Sequence, residues 1–319
     1  MVSELTSERI PKKRTFNYYI RSFLKIRTSQ GIKPATIEKY SAIASRLDAK
    51  FGRFPISDLL GSDARDYFAN LALRRCAKTT RDYLSVFRGI FQEAIYDGSA
   101  HYNLADVVRL PKEQKAEVDP FSAREAALLL QHSDGWLQSL IALLCYTGMR
   151  TGEAIALKWE NIFWSANFIR VVATRSNGMD GEPKTANSNR TIPIFEPLEP
   201  YLRAQRDRAF ERGVKSDYVF LTDAGNAWND TKNIAKLYWR PLLRRLGLKN
   251  RRLYDLRHTF ATNMLDSGRY PASLISEWLG HSDFSMIFKR YAKLIKGERK
   301  TFDRAFDYTL GEYADGQKR

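Results

Sequence analysis

Cysteine is nearly absent from this chain. The 319 residues contain two, Cys76 and Cys145, too few and too far apart for a disulfide framework or a zinc site, and they fit a reducing cytosol. No apolar run approaches the roughly 20 residues that span a bilayer, which excludes an integral membrane protein built from such helices. The first eight residues, Met1 to Glu8, hold no apolar core of the kind a secretory signal requires. Acidic residues are outnumbered: 36 Asp and Glu face 52 Lys and Arg, a formal net charge of +16. An excess of that size points to a polyanionic partner, nucleic acid above all. With 44% hydrophobic and 13% aromatic residues the chain can bury real cores, so wholesale disorder is excluded.

The charge is shared along the chain. Residues 1–115 carry 21 Lys and Arg against 12 Asp and Glu, leaving a comparable excess for the remainder; two basic domains fit better than one basic tail. Residues 15–108 read as helical. Phe16, Tyr19, Ile20 and Phe23 fall at i, i+3, i+4 and i+7, one face of an amphipathic helix. A second helix is expected to start near Thr36, a short third one to be capped by Asp63, and a long fourth one to open at Thr79 or Thr80. Its inward face would carry Leu84, Phe87, Ile90, Phe91, Ala94 and Ile95. Together these make a small helical bundle. Residues 111–120 are polar and flanked by prolines, a linker composition. Ser122 and Glu125 then form a capping box that opens a second domain. In its middle the period changes to that of strands, at Phe168–Ala173 and Arg190–Ile194, separated by the turn-rich stretch 176–184. Helical patterns resume at 231–246, 254–267 and 271–279, with Gly268 and Gly280 as stops. The second domain is therefore mostly α with a small sheet.

Four clusters in that second domain carry chemistry. Arg150 follows the helix stop at Gly148, and Glu153 is close enough in sequence to orient its guanidinium. Lys184 stands in the strand–turn–strand. Arg257 lies at an apolar-rich helix start, where an unpaired charge is costly, so either an ion pair with Asp255 or Glu277 or a ligand is expected. His281 follows Gly280, and Tyr291 follows ten residues later. Two arginines can clamp the non-bridging oxygens of a phosphodiester bidentately and stabilise its pentacoordinate transition state. A tyrosine can attack phosphorus and form a covalent intermediate, provided that a cationic pocket or a base offsets its ordinary pKa of about 10. The set suits phosphoryl transfer with neither metal nor cofactor.

In order and wording these clusters resemble the tyrosine recombinases, or phage integrases, over nearly the whole chain. Thr147-Gly148-Met149-Arg150-Thr151-Gly152-Glu153 resembles the family's first-arginine box. Lys184 ahead of Asn189–Ile194 resembles its hairpin lysine, and Asp255-Leu256-Arg257-His258-Thr259-Phe260-Ala261-Thr262 its second-arginine box. Leu279-Gly280-His281-Ser282 and Tyr291 resemble its histidine and nucleophile. The resemblance implies a mainly α fold with these parts: an N-terminal segment (1–14), a helical, SAM-like core-binding domain (15–110), a linker (111–120), a mostly α catalytic domain with a small antiparallel sheet (121–296), and a tail (297–319) that docks in trans.

The implied roles follow residue by residue. Tyr291 attacks the scissile phosphate to give a 3′-phosphotyrosyl link and a free 5′-hydroxyl. Lys184 protonates that leaving oxygen. Arg150 and Arg257 hold the phosphate, Glu153 supports Arg150, and His281 hydrogen-bonds the phosphate. A 5′-hydroxyl of the partner strand then resolves the link, so neither ATP nor a metal is required. One position departs from the family pattern: Tyr254 stands where histidine is usual, and a phenol titrates near about 10 rather than about 6.5, which makes it a poorer proton acceptor at neutral pH. The interval from His281 to Tyr291 is also about one residue longer than the commonest spacing; Tyr308 and Tyr313 lie beyond the expected register. On the first domain, Lys39, Arg46, Thr79, Arg81 and Arg88 are the candidate DNA contacts.

The implied partners are double-stranded DNA with a core-type recombination site and three further copies of the chain. The protein is expected to be a monomer in solution and a homotetramer on synapsed DNA. Bending or excision accessory proteins are also expected, with a cytoplasmic, nucleoid-associated location. The segment before Phe16 is too short for an arm-binding domain, which implies simple core sites or a truncated chain. The competing readings are a non-catalytic DNA-binding regulator of the same descent and a type IB topoisomerase-like enzyme. The intact five-residue set opposes the first, and the helical first domain and the tail oppose the second.

Overall fold

The computed structural model describes residues 14–111, 118–181 and 189–280. The chain divides into two units, Met1–Ala116 and Glu117–Arg319.

The first unit is a helical bundle of α1 (Phe16–Ser29), α2 (Pro34–Phe51), α3 (Gly61–Arg74) and α4 (Ala77–Tyr96), closed by a 3-10 turn at Leu104–Val107. The four expected residues of α1 are its buried face, and the Thr15 side chain caps the helix. Pro34 at the first turn of α2 needs no intrahelical N–H partner, so the helix begins there, two residues before Thr36. Two expected boundaries differ. Asp63 is not the residue preceding α3: it lies inside the first turn and its carboxylate accepts the Leu60 N–H at 2.9 Å, so α3 starts earlier and runs for 14 residues. The helix α4 opens at Ala77, after Cys76, rather than at Thr79 or Thr80. The Thr80 hydroxyl instead bonds back to the Cys76 carbonyl at 3.2 Å. Phe16, Phe51, Phe68, Phe87 and Phe91 meet in the middle of the bundle, with the Phe87 and Phe91 rings 4.8 Å apart.

The second unit opens with α5 (Ala123–Gln131), where Ser122 and Glu125 form the expected capping box. There follow α6 (Gly135–Thr147), α7 (Thr151–Ile155), and a three-stranded antiparallel sheet of β1 (Ile162–Phe163), β2 (Phe168–Val171) and β5 (Arg190–Pro193) in the order β1-β2-β5. Ile169 pairs with Ile192 and Val171 with Arg190. Between β2 and β5 the turn-rich stretch contains a hairpin, β3 (Thr174–Ser176) and β4 (Met179–Gly181). Asn177 and Gly178 both have positive φ, 51° and 77°, as a two-residue hairpin turn requires. A helix without a counterpart in the sequence reading, α8 (Glu199–Glu211), packs on α6: the Ser139 hydroxyl donates to the Tyr201 carbonyl and Arg208 donates to the Ser139 oxygen.

Next come α9 (Thr231–Ile234), a π-helical turn at Ala235–Trp239, and α10 (Arg240–Arg245). Pro241 supplies no N–H to the turn before it, and the helix widens there. The last two elements are α11 (Asp255–Ser267) and α12 (Ala272–Leu279), each stopped by a left-handed glycine, Gly268 and Gly280. Among the described residues no helix is long and apolar enough to cross a membrane.

Candidate active site

The site is assembled where α6, α7, β5, α11 and α12 converge. Gly148 ends α6 in the left-handed conformation, φ 62°, and a Cβ there would come within 2.4 Å of the Phe260 ring. Only glycine meets both demands. The turn it makes places Arg150 immediately before α7. The Arg150 N–H donates to Glu153 Oε2 at 2.8 Å and its guanidinium to Glu153 Oε1 at 2.7 Å, so one carboxylate fixes both ends of the residue. Glu153 is buried. Burial pushes its carboxyl up, but the hydrogen bonds and charges of Arg190 and Arg150 outweigh that and hold it below the ordinary glutamate value.

Arg190 is a member of this group that the sequence reading passed over. Strand alternation was the signal: Thr191 faces out, so Arg190 and Ile192 face in. Its Nη2 reaches Glu153 Oε2 at 2.8 Å and its Nε the Trp278 carbonyl at 2.5 Å. The ion pair is almost fully enclosed, with 2% and 1% of the two side chains exposed.

Arg257, on the first turn of α11, is also buried. Neither Asp255 nor Glu277 is its hydrogen-bond partner: it donates to the carbonyls of Gly148 at 2.8 Å and Leu279 at 2.5 Å, while Asp255 pairs with Arg252 at 2.7 Å. Burial pulls the Arg257 guanidinium down to about 10, still protonated at neutral pH. Tyr254, just before α11, lays its ring edge-on to buried His258 with centroids 5.3 Å apart. Arg150 completes the set with a bond to the Gly280 carbonyl at 3.2 Å. Thus Arg150, Glu153 and Arg257 are gathered at the end of α12, the point from which the chain runs on to His281, and Tyr254 precedes Arg257 at the start of α11. Lys184, His281, Tyr291 and the 297–319 tail lie outside the described residues, as do residues 112–117 of the linker. Among the described residues no group of three His, Cys, Asp or Glu could hold a metal ion.

Four of the five candidate DNA contacts of the first unit fall into two groups. Lys39 and Arg46, two turns apart on α2, reach across to α4, to Asp82 at 2.7 Å and to the Tyr83 hydroxyl at 2.6 Å. Arg81 and Arg88 turn the other way, to the Pro111 carbonyl at 2.9 Å and to Asp106 at 2.9 Å. Thr79 lies 3.2 Å from the Cys76 sulfur.

Residues 120–298, more than half of the chain, match the model of the phage integrase family. The chain belongs to that family. Its members, the tyrosine recombinases, are enzymes that cleave and rejoin DNA. Among curated proteins, a tyrosine recombinase XerC-like protein of Caldanaerobacter subterraneus subsp. tengcongensis is 28% identical, over 84% of this chain and 76% of its own length. Among solved structures, the Tn1549 transposon integrase in complex with a circular intermediate DNA aligns with a TM-score of 0.73 at 20% identity, covering 87% of this chain and 95% of that one. A lambda integrase tetramer bound to a Holliday junction aligns with a TM-score of 0.70 at 18% identity, covering 89% of this chain and 84% of that one. The likeness to both integrases is one of fold: mainly α with a small antiparallel sheet.

Proposed function

We propose that this integrase-family enzyme is a site-specific recombinase of a phage or other mobile element, acting on a core-type DNA site through a 3′-phosphotyrosyl intermediate on Tyr291. The observation that supports it most is the convergence of Arg150 and Arg257 on adjacent carbonyls, Gly280 and Leu279, at one helix end. Two guanidiniums held that close can share one phosphate, and their charge gains weight as negative charge builds in the transition state. Arg257 can exchange its carbonyl acceptors for phosphate oxygens without changing protonation. Glu153 keeps Arg150 oriented but, as an anion, is not itself a phosphate ligand. Lys184 protonates the leaving 5′-oxygen, and His281 and Tyr254 hydrogen-bond the phosphate or the nucleophile. The 5′-hydroxyl of a second strand then attacks the phosphotyrosyl bond and restores tyrosine, so each bond broken is remade without ATP.

The first unit serves as the core-binding domain, with Lys39, Arg46, Thr79, Arg81 and Arg88 nearest the phosphates. Phosphate contacts make binding salt-dependent. The protein is a monomer until four copies assemble on two synapsed sites in the cytoplasm, where bending or excision factors set the direction.

The test is strand exchange between two differently labelled duplexes carrying the element's junction sequence, run in EDTA. Recombinant product from the wild type, and none from Tyr291→Phe at equal DNA affinity, is the expected result. Relaxation of supercoils without exchange would favour a topoisomerase, and exchange by Tyr291→Phe would remove Tyr291 as nucleophile.

A further inference from the structure

The last turn of a helix leaves its carbonyls without intrahelical donors. At the end of α12 three successive carbonyls are each taken by a different guanidinium: Trp278 by Arg190, Leu279 by Arg257 and the capping Gly280 by Arg150, at 2.5, 2.5 and 3.2 Å. Positive charge at this end of a helix is favourable. Arg150 and Arg257 are the proposed phosphate ligands. Arg190 turns all three of its guanidinium nitrogens to the Glu153 carboxylate and the Trp278 carbonyl. It fills half of the Glu153 carboxylate. Oε1 accepts from Arg150 Nη1 at 2.7 Å and Arg190 Nη1 at 3.3 Å, and Oε2 from the Arg150 N–H and Arg190 Nη2, both at 2.8 Å. A buried carboxylate deprived of two of these four donors, and of one of the charges beside it, favours its protonated form. Arg150 would then lose the anion that aims it.

We propose that Arg190 is a positioning residue of the recombination site: it aims Arg150 through Glu153 and pins the end of α12, from which the chain runs to His281, through the Trp278 carbonyl. This rests on the recombinase reading above. Among the described residues the charged groups around Glu153 are few. Arg150 shares its element, Arg190 comes from β5 and Arg257 from α11. β3 packs Arg175 near Gly152, α9 carries Lys232 paired with Asp230, and α6 contributes no charged residue. Arg190 is the donor to Glu153 that does not itself serve the phosphate.

The experiment compares wild type, Arg190→Met and Arg190→Lys in two readouts. The first is covalent adduct formation on a saturating nicked duplex across pH. The second is titration of the Glu153 carboxyl by carbon-13 NMR in the DNA-free protein, assigned with Glu153→Gln. For Arg190→Met the adduct rate is expected to fall on the order of 10- to 100-fold with DNA affinity nearly unchanged, as for a misplaced catalytic group. Its acid limb and the Glu153 titration should both move to higher pH. Arg190→Lys keeps a charge but not the fork, so it should keep the wild-type pH profile at a reduced rate. Wild-type rate and profile in Arg190→Met, or an equal loss at every pH with an unmoved Glu153 titration, would overturn the proposal. If Arg190→Met does not fold, Arg190→Lys at the full wild-type rate overturns it instead. A wild type that forms no adduct at all refutes the recombinase reading, while the Glu153 titration still reads whether Arg190 governs that carboxylate.

Discussion

The interiors of the two units are built from different materials. In the first, the helices close over a knot of phenylalanines, and among the described residues its buried polar ones are Thr80 and Asn103, each satisfied by a backbone group. In the second, the apolar core of Leu140–Leu144, Ile169 and Ile192 surrounds Glu153, Arg190, Arg257, His258 and Asp255, all buried. Burying ions is costly, and a well-packed apolar substitute often costs less. A protein that needed only to fold would have no reason to place two arginines and a glutamate in one core. The first unit is arranged for stability and presents its charge on the surface; the second gives up stability to preorganise charge around one point.

That contrast can be broken by substitutions on both sides. The largest stability effect belongs to the first unit: Phe87→Ala empties the centre of the aromatic knot and should cost about 3–5 kcal/mol in denaturant unfolding, while the correctly folded fraction keeps its adduct rate. In the second unit Arg257→Ala should lower the adduct rate by about 10²–10³, the effect of losing one preorganised donor, with a smaller fractional loss of DNA affinity. A loss of binding equal to the loss of rate would make Arg257 a binding residue only. Glu153→Gln should cost about 3 kcal/mol by leaving two guanidiniums without their anion. It should also remove a pH dependence. The folded Glu153 value is depressed below the ordinary glutamate value of about 4.3, so its contribution is complete above that value and fades as pH falls through the folded one. Thermal melts of the glutamine variant should lose that part of the acid slope. The smallest effect is that of Lys39→Gln. The exposed Lys39–Asp82 pair should contribute under about 1 kcal/mol, yet the salt slope of DNA binding should fall by about one if Lys39 meets a phosphate. An unchanged slope removes Lys39 from the interface.

What could be read from the chain follows from how local each feature is. The face of α1, the Ser122–Glu125 box and the glycine stops at Gly148, Gly268 and Gly280 depend on residues within a turn or two of one another, and all three kinds are present in the fold. The helix α8 was not legible because its stripe is thin: Leu202 is its buried apolar residue, and Gln205 fills the next inward position by donating to the Val219 carbonyl. The β3–β4 hairpin had its Asn-Gly signal, but its strands bury no residue fully and carry no hydrophobic alternation. Arg190 was named as part of a strand and not as part of the site. Its meaning comes from Trp278 and Glu153, 88 and 37 positions away. Arg150, Glu153 and Arg257 stood out in their sequence clusters and in the family resemblance, but the shared helix end that gathers them is a tertiary fact.

The most direct test of the contrast between a folding core and a chemical one is to trap the covalent intermediate. The wild-type protein would be incubated in EDTA with duplexes from its own element, nicked beside the cleavage position so that the 5′-hydroxyl fragment escapes. The denatured adduct would then be mapped by mass spectrometry. A denaturant-resistant adduct on Tyr291, lost in Arg257→Ala but kept in the folded fraction of Phe87→Ala, is the expected result. No adduct from wild type despite salt-sensitive binding, or an adduct on another residue, would contradict the assignment of the charged core to phosphoryl transfer by Tyr291.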